Sequence, residues 1–257
     1  MTELEGKTVL VTGALGGIGK SVLHKLENLG AQVLAVDLVN QGEASDFFAK
    51  KGFTTVQYRV ADITLSQDLD EISDWAFKFP VDSLVALAGV VVSGELVQQS
   101  DAEIERVIKT NLTSQLSLAK RFVKNWVSSK RNGNIVFVSS WVDHVPWPGI
   151  TPYSSSKAGL VAACRGIARE YAAHGIRANL ISPGIVDVGM AAKQWREEPD
   201  YRARASRAIP LGRLQKPEEV AEGIAFLLSN SAQYMTGSNL LIDGGASLYP
   251  LDSEEIL

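Results

Sequence analysis

Short apolar runs recur along the 257-residue chain at Thr8–Val11, Gln32–Val36, Thr55–Val60, Ser83–Ala88, Ile135–Val138, Arg177–Ile181 and Asn239–Ile242. Each has the length of a strand, and segments long enough for helices separate most of them. Strands alternating with helices predict a parallel sheet covered on both faces. The first run is nearly continuous in Val and Leu, as in a central strand buried on both sides. Right-handed crossovers then give an α/β fold: a single-domain, Rossmann-type, doubly wound parallel sheet of about seven strands with helices on both faces.

Helices are expected over Lys20–Leu29, around Asp101, Ile104 and Val107, over Leu112–Val127 and Ser154–Ala173, and over Pro217–Leu228. The last opens with proline and two glutamates, which suit a first turn. Three stretches carry no clear period: Trp141–Pro152, Val186–Arg213 and Ala246–Leu257. Substrate specificity is expected there, with 186–213 as a lid.

Composition narrows the class. With 46% hydrophobic and 21% charged residues, one domain spanning 1–257 can bury a large core. A net charge of −4 supplies no basic field for nucleic acid or anionic lipid. The opening MTELEGKTVLVTG reads as neither a secretory nor a transit peptide, and no segment reaches the roughly 20 apolar residues of a membrane helix. One cysteine, Cys164, excludes an intrachain disulfide and a multi-thiolate metal site. These features predict a cytoplasmic protein without a metal, acting on a small molecule.

Two motifs carry chemistry. The first strand runs into Thr12-Gly13-Ala14-Leu15-Gly16-Gly17-Ile18-Gly19 and then a helix. Glycines at such a turn let backbone approach a pyrophosphate, and the helix N-terminus offers free N–H groups. Asp37, followed by Leu38, ends the second strand 18 residues beyond Gly19, where an acid accepts from the adenosine ribose hydroxyls. No Arg or Lys stands within the turn or just after Asp37 to meet a 2′-phosphate, so NAD is expected rather than NADP. Alone, the glycines also fit a tight turn and Asp37 a solvated strand end.

The second motif is Tyr153 and Lys157, four apart at the start of a helix and so on one face. A cation beside a phenol favours phenolate, so Lys157 is expected to draw the Tyr153 titration down towards the working range. Such pairs also occur on plain surfaces. Ser140 follows the strand IVFVS, whose last residue is Ser139, and stands thirteen residues before Tyr153, at the end of the sheet where open parallel folds bind ligands.

The pattern TGxxxGIG with these residues resembles the classical short-chain dehydrogenase/reductase family over nearly the whole chain. The resemblance implies that Ser140, not Ser139, holds the substrate oxygen, that Tyr153 is the acid/base, and that Lys157 stabilises its phenolate and binds the nicotinamide ribose. Asn111 in KTNLTS matches the family's helix-kinking asparagine, whose carbonyl holds a water that links Lys157 to solvent; the same residue also stands where an N-cap would. Asp62 and Ile63 match adenine-side positions. Ala88 and Gly89 end a motif written ALAG where the family has NNAG, which removes two side chains that brace the sheet. Pro183, Gly184 and Ile185 match the loop beside the nicotinamide, with Ile185 against the carboxamide, but Val188 replaces the usual threonine. Asp243 in LLIDGG matches a structural position. A homotetramer joined through Leu112–Lys130 and Tyr153–His174 is a further implication.

The implied activity is hydride transfer between NAD and a secondary or cyclic alcohol: a sugar, polyol or dihydrodiol. NADPH-dependent reduction of a ketone or 3-oxoacyl thioester is the rival, and a non-catalytic cofactor-binding scaffold a third reading. Trp141, His144 and Trp147 lie between two catalytic positions and are expected to line the substrate site, with Trp195 in the lid. Simple packing of the loop fits the tryptophans equally well. Arg196, Arg202, Arg204 and Arg207 fit either an anionic substituent or a solvated face. His24 and His174 carry no expected chemistry, and Cys164 reads as an inert packed thiol.

Overall fold

A computed structural model describes residues 3–248. Seven strands form one parallel sheet: β1 (Thr8–Thr12), β2 (Gln32–Asp37), β3 (Val56–Val60), β4 (Val81–Ala86), β5 (Gly133–Val138), β6 (Ile176–Pro183) and β7 (Asn239–Ile242). Their order is β3-β2-β1-β4-β5-β6-β7, so the direction in which successive strands are added reverses between β1 and β4. At that switch point the two diverging connections leave a crevice at the strand C-termini. β4 ends two residues before Ala88, which places the ALAG glycine in the loop beyond the sheet rather than inside a strand.

Nine α-helices are described: α1 (Gly17–Asn28), α2 (Gln41–Lys51), α3 (Ser66–Ala76), α4 (Asp101–Ile108), α5 (Ser114–Ser128), α6 (Thr151–Tyr171), α7 (Gly189–Glu197), α8 (Pro199–Ala208) and α9 (Pro217–Leu228). One buried layer joins Leu10, Leu84, Ile135 and Leu180 of the sheet to Leu118 and Phe122 of α5 and Leu160 of α6. The opposite layer joins Val9, Val11, Val85 and Val136 to Val22 and Leu26 of α1 and Ile224 of α9. The alternate residues of β1 thus face different helices, which is why its sequence is apolar throughout.

The expected helix over Leu112–Val127 has a different start. Residues 109–113 form a single π-helical turn between α4 and α5. Asn111 inside it is not an N-cap: its side chain reaches across to the β4 loop. The 186–213 segment is not irregular, since α7 and α8 occupy most of it. Among the described residues no helix is long and apolar enough to cross a membrane, and no cluster of three His, Cys, Asp or Glu could hold a metal. Most of the 246–257 tail lies outside the described residues.

Candidate active site

The glycine turn between β1 and α1 is set by contacts that leave no space for a side chain. A Cβ on Gly13, whose φ is +66°, would lie 2.8 Å from the Ala88 Cα. One on Gly19 would lie 2.2 Å from the Gly13 carbonyl oxygen, and one on Gly17 would meet Val188 at 2.5 Å. Asp37 at the end of β2 braces this turn: one carboxylate oxygen accepts from Leu15 N at 2.8 Å and the other from Leu38 N at 2.7 Å.

A groove of about 490 Å³ opens along these atoms, lined by Gly13, Gly16, Gly17, Ile18 and Gly19, by Asp37 and Leu38, and by Asp62, Ile63, Ala88 and Gly89. Leu15 takes part through its backbone N–H rather than as a wall. A cradle that a Cβ would fill, with a carboxylate at one end, fits a dinucleotide. Sequence reasoning missed Thr64, Val90, Arg106 and Thr110 in the same lining. Arg106 is an exposed cation on α4, far in sequence from Asp37, so no local motif points to it.

The lost NNAG asparagines are replaced from elsewhere. Ala88 N donates to the Thr12 hydroxyl at 3.3 Å, and Gln115 Nε2 of α5 donates to the Ala88 carbonyl. Asn111, fully buried, accepts from Val90 N at 2.8 Å and donates to Val90 O at 2.8 Å and Ser156 Oγ at 3.1 Å. The π turn therefore ties the β4 loop to α6.

A second hollow, about 190 Å³, continues from the groove and is lined by Ser140, Tyr153, Lys157, Pro183, Gly184 and the Gly89–Val91 loop. Ser140 hydrogen-bonds the Tyr153 phenol. Lys157, 4% exposed, donates from Nζ to the Val138 carbonyl at 2.8 Å and lies 5.5 Å from the centroid of the Tyr153 ring. Burial holds its ammonium down at about 8, although the Asp143 charge pulls the other way.

The expected depression of the Tyr153 titration is not present. Burial around the hydroxyl is the largest influence and raises it, the Ser140 bond lowers it, and the Asp143 charge raises it again. The Lys157 ammonium is committed to a backbone carbonyl, so it does not outweigh that burial.

The loop after β6 is pinned by Gln215, whose side chain accepts from Gly184 N at 3.0 Å and whose backbone N–H donates to Ile185 O at 2.8 Å. Ile185 turns away from this second hollow into a small cluster with Trp141, Val142 and Trp147. Asp187 pairs with Arg196, and Val188 packs on the glycine turn.

The aromatic loop residues divide. Trp141 and Trp147 are buried edge to face, 5.4 Å between centroids, and Trp195 packs against the same cluster, as does Tyr153. They pack together beside Tyr153 and do not line the hollow. His144 is exposed against the buried Asp143 carboxylate. Arg204 stacks on Trp147 at 4.9 Å and on Tyr201 at 5.8 Å, so it is no plain solvated arginine. Cys164 is fully buried and its thiol is pushed up to about 12, in keeping with an inert group. Asp243 accepts from Gly245 N and Ser247 N, a structural role.

A family model described as enoyl-(acyl carrier protein) reductase matches residues 13–247. The chain is 35% identical over 253 residues to 3beta-hydroxysteroid dehydrogenase 1 of Eggerthella lenta, covering 96% of each protein. It is 36% identical over 249 residues to a 3-oxoacyl-(acyl-carrier-protein) reductase of Thermotoga maritima, covering 95% of this chain and 98% of the other. Among solved structures, a short-chain type dehydrogenase/reductase from Mycobacterium marinum superposes with a TM-score of 0.86 at 29% identity, over 96% of this chain and 98% of that one. The fold and site define a nicotinamide-dependent oxidoreductase. The chain belongs to the short-chain dehydrogenase/reductase family.

Proposed function

We propose that this oxidoreductase is NAD-dependent and interconverts a secondary or cyclic alcohol with its ketone, with Tyr153 as acid/base. The carrying observation is the junction of two features: Ser140, Tyr153 and Lys157 line one hollow, and the groove leading into it ends at an acid, Asp37. The bound nicotinamide would supply the hydride acceptor or donor. Gly13, Gly16, Gly17 and Gly19 would hold its pyrophosphate, Asp37 the adenosine ribose, Asp62 and Ile63 the adenine side, and Pro183 and Gly184 the nicotinamide end.

Each protein group then has a limited task. Ser140 donates to the substrate oxygen and fixes its distance from the phenol. Tyr153 takes the hydroxyl proton in oxidation and returns it in reduction. Lys157 stabilises the phenolate when it forms and carries the ribose contact. The substrate is a small molecule held in the hollow, and the enzyme works in the cytoplasm as a homotetramer.

NADH formation with a panel of polyols, cyclic diols and hydroxysteroids tests the reading, together with Kd values for NAD and NADP. Tighter NAD binding and loss of turnover in Tyr153→Phe are expected. Tighter NADP binding would overturn the role given to Asp37. The rival, NADPH-dependent reduction of a ketone or 3-oxoacyl thioester, draws support from Arg106 in the groove lining and from the likeness to the Thermotoga 3-oxoacyl-(acyl-carrier-protein) reductase. A proposed 2-deoxy-D-gluconate 3-dehydrogenase of Agrobacterium tumefaciens, TM-score 0.87, was solved with NADP.

A further inference from the structure

Asp143 is a buried carboxylate that the mechanism above leaves unused. It lies in a short 310 turn, Trp141–Asp143, directly after Ser140, and its backbone N–H donates to the Ser140 carbonyl at 2.9 Å. Its side chain is 2% exposed. One oxygen accepts from three donors: Ser139 Oγ at 2.9 Å, Ser182 Oγ at 2.7 Å and Asn239 Nδ2 at 3.2 Å. The other lies against His144 Nδ1. A carboxylate accepts on both oxygens, whereas an amide could serve the three donors only with its Oδ1 on their side and its NH2 turned to His144 Nδ1.

The network reaches both catalytic groups. Ser139 Oγ also lies 3.2 Å from the Lys157 carbonyl oxygen, and Ser140 is the hydrogen-bond partner of the phenol. We propose that Asp143 is a positioning residue: its buried carboxylate, through Ser139 and the turn after Ser140, ties the serine that bonds the phenol to the Lys157 backbone, and its loss changes how readily Tyr153 releases its proton. The inference rests on the reading of Tyr153 as acid/base. A phenol held protonated is ready to donate to a carbonyl oxygen, whereas oxidation needs its proton removed first.

Other charges around Tyr153 do not duplicate this one. Lys157 lies on its own helix and is bonded to Val138 O, and His144 is half exposed beyond Asp143. Asp101, Glu105, Arg106 and Lys109 on the neighbouring α4 and π turn are exposed, and Glu103 there is tied up in the Ser100 cap. Arg204 of α8 is stacked on Trp147, and Asp243 after β7 is occupied by backbone N–H groups.

The test is a pH titration of tyrosinate absorbance, read as the difference between each protein and its Tyr153→Phe counterpart, which needs no substrate. Asp143→Asn is expected to lower the Tyr153 midpoint by about one pH unit, or about tenfold in phenolate at fixed pH. Asp143→Glu should retain the wild-type midpoint. Asp143→Ser, which leaves space for water to satisfy Ser139, Ser182 and Asn239, serves if the asparagine variant does not fold. A Tyr153 midpoint that does not move in whichever uncharged variant folds overturns the proposal. Absence of turnover with every alcohol and ketone in the panel would sink the activity reading while leaving this titration standing.

Discussion

Lys157 carries its ammonium into a site where burial lowers its titration from 10.5 to about 8. At one pH unit per 1.36 kcal/mol, that difference costs the fold about 3 kcal/mol wherever the group is charged in both states. Below about 8 both states hold the proton and the cost is complete. Between 8 and 10.5 the native state gives up a proton that the unfolded chain keeps, so stability recovers with rising pH. Lys157→Met removes the penalty and leaves the Val138 carbonyl without its donor, a loss of about 1 kcal/mol. Urea unfolding at pH 7 should therefore find this variant more stable than wild type by about 2 kcal/mol, the sum of these opposing effects. That gain should shrink as pH rises past 8; a variant less stable at every pH would show that the ammonium is no burden to the fold. The sequence made Tyr153 and Lys157 visible through their spacing, but the sign of the Tyr153 shift depends on burial and on Asp143, which no spacing encodes.

At the scale of elements, the legible parts were those whose period or punctuation is strong. The run Asn239–Ile242 and the helix Pro217–Leu228 occur with the boundaries expected from sequence. Helices α2 and α3 had no such signal. In α2 only Ala44 is fully buried, and its Phe47 and Phe48 pack sideways on Phe53 and Tyr58 rather than along one stripe. In α3 the buried Leu69, Ile72 and Ala76 do form a stripe, thinned by acids between them. The π turn has no period of its own and is held by the side-chain bonds of one residue, Asn111, where only the family resemblance implied a kink. Asn111→Ala removes three hydrogen bonds that join the β4 loop, the turn and α6, and it leaves both polar groups of Val90 without that partner. At about 1 kcal/mol for each bond, a loss near 3 kcal/mol is expected in denaturant unfolding, and Tyr153 should lose its position with it. Hydrogen exchange at Val90 checks the cause: protection there should fall in the variant, and unchanged protection would place the loss elsewhere.

For the whole molecule, the alternation of apolar runs was enough to anticipate one parallel sheet, because every crossover had to bury both sheet faces. What it could not show is how molecules meet, since surface apolar residues have no period of their own. The outer face of α5 and α6 gathers Leu116, Val123, Val127, Ile167 and Tyr171 around a hollow of about 590 Å³, rimmed by Lys120, Lys124 and Glu170. Lysines on one helix and an acid on the other make the face self-complementary under a twofold rotation, the geometry of an isologous contact. Ile167→Glu puts a charge at its centre, fourteen residues along α6 from Tyr153, without touching the catalytic hollow. Sedimentation velocity should then show a smaller species than wild type. The wild-type Tm should rise with protein concentration and the variant's should not, because only assembly links stability to mass action. An unchanged sedimentation coefficient in the folded variant would exclude this face as a contact between copies.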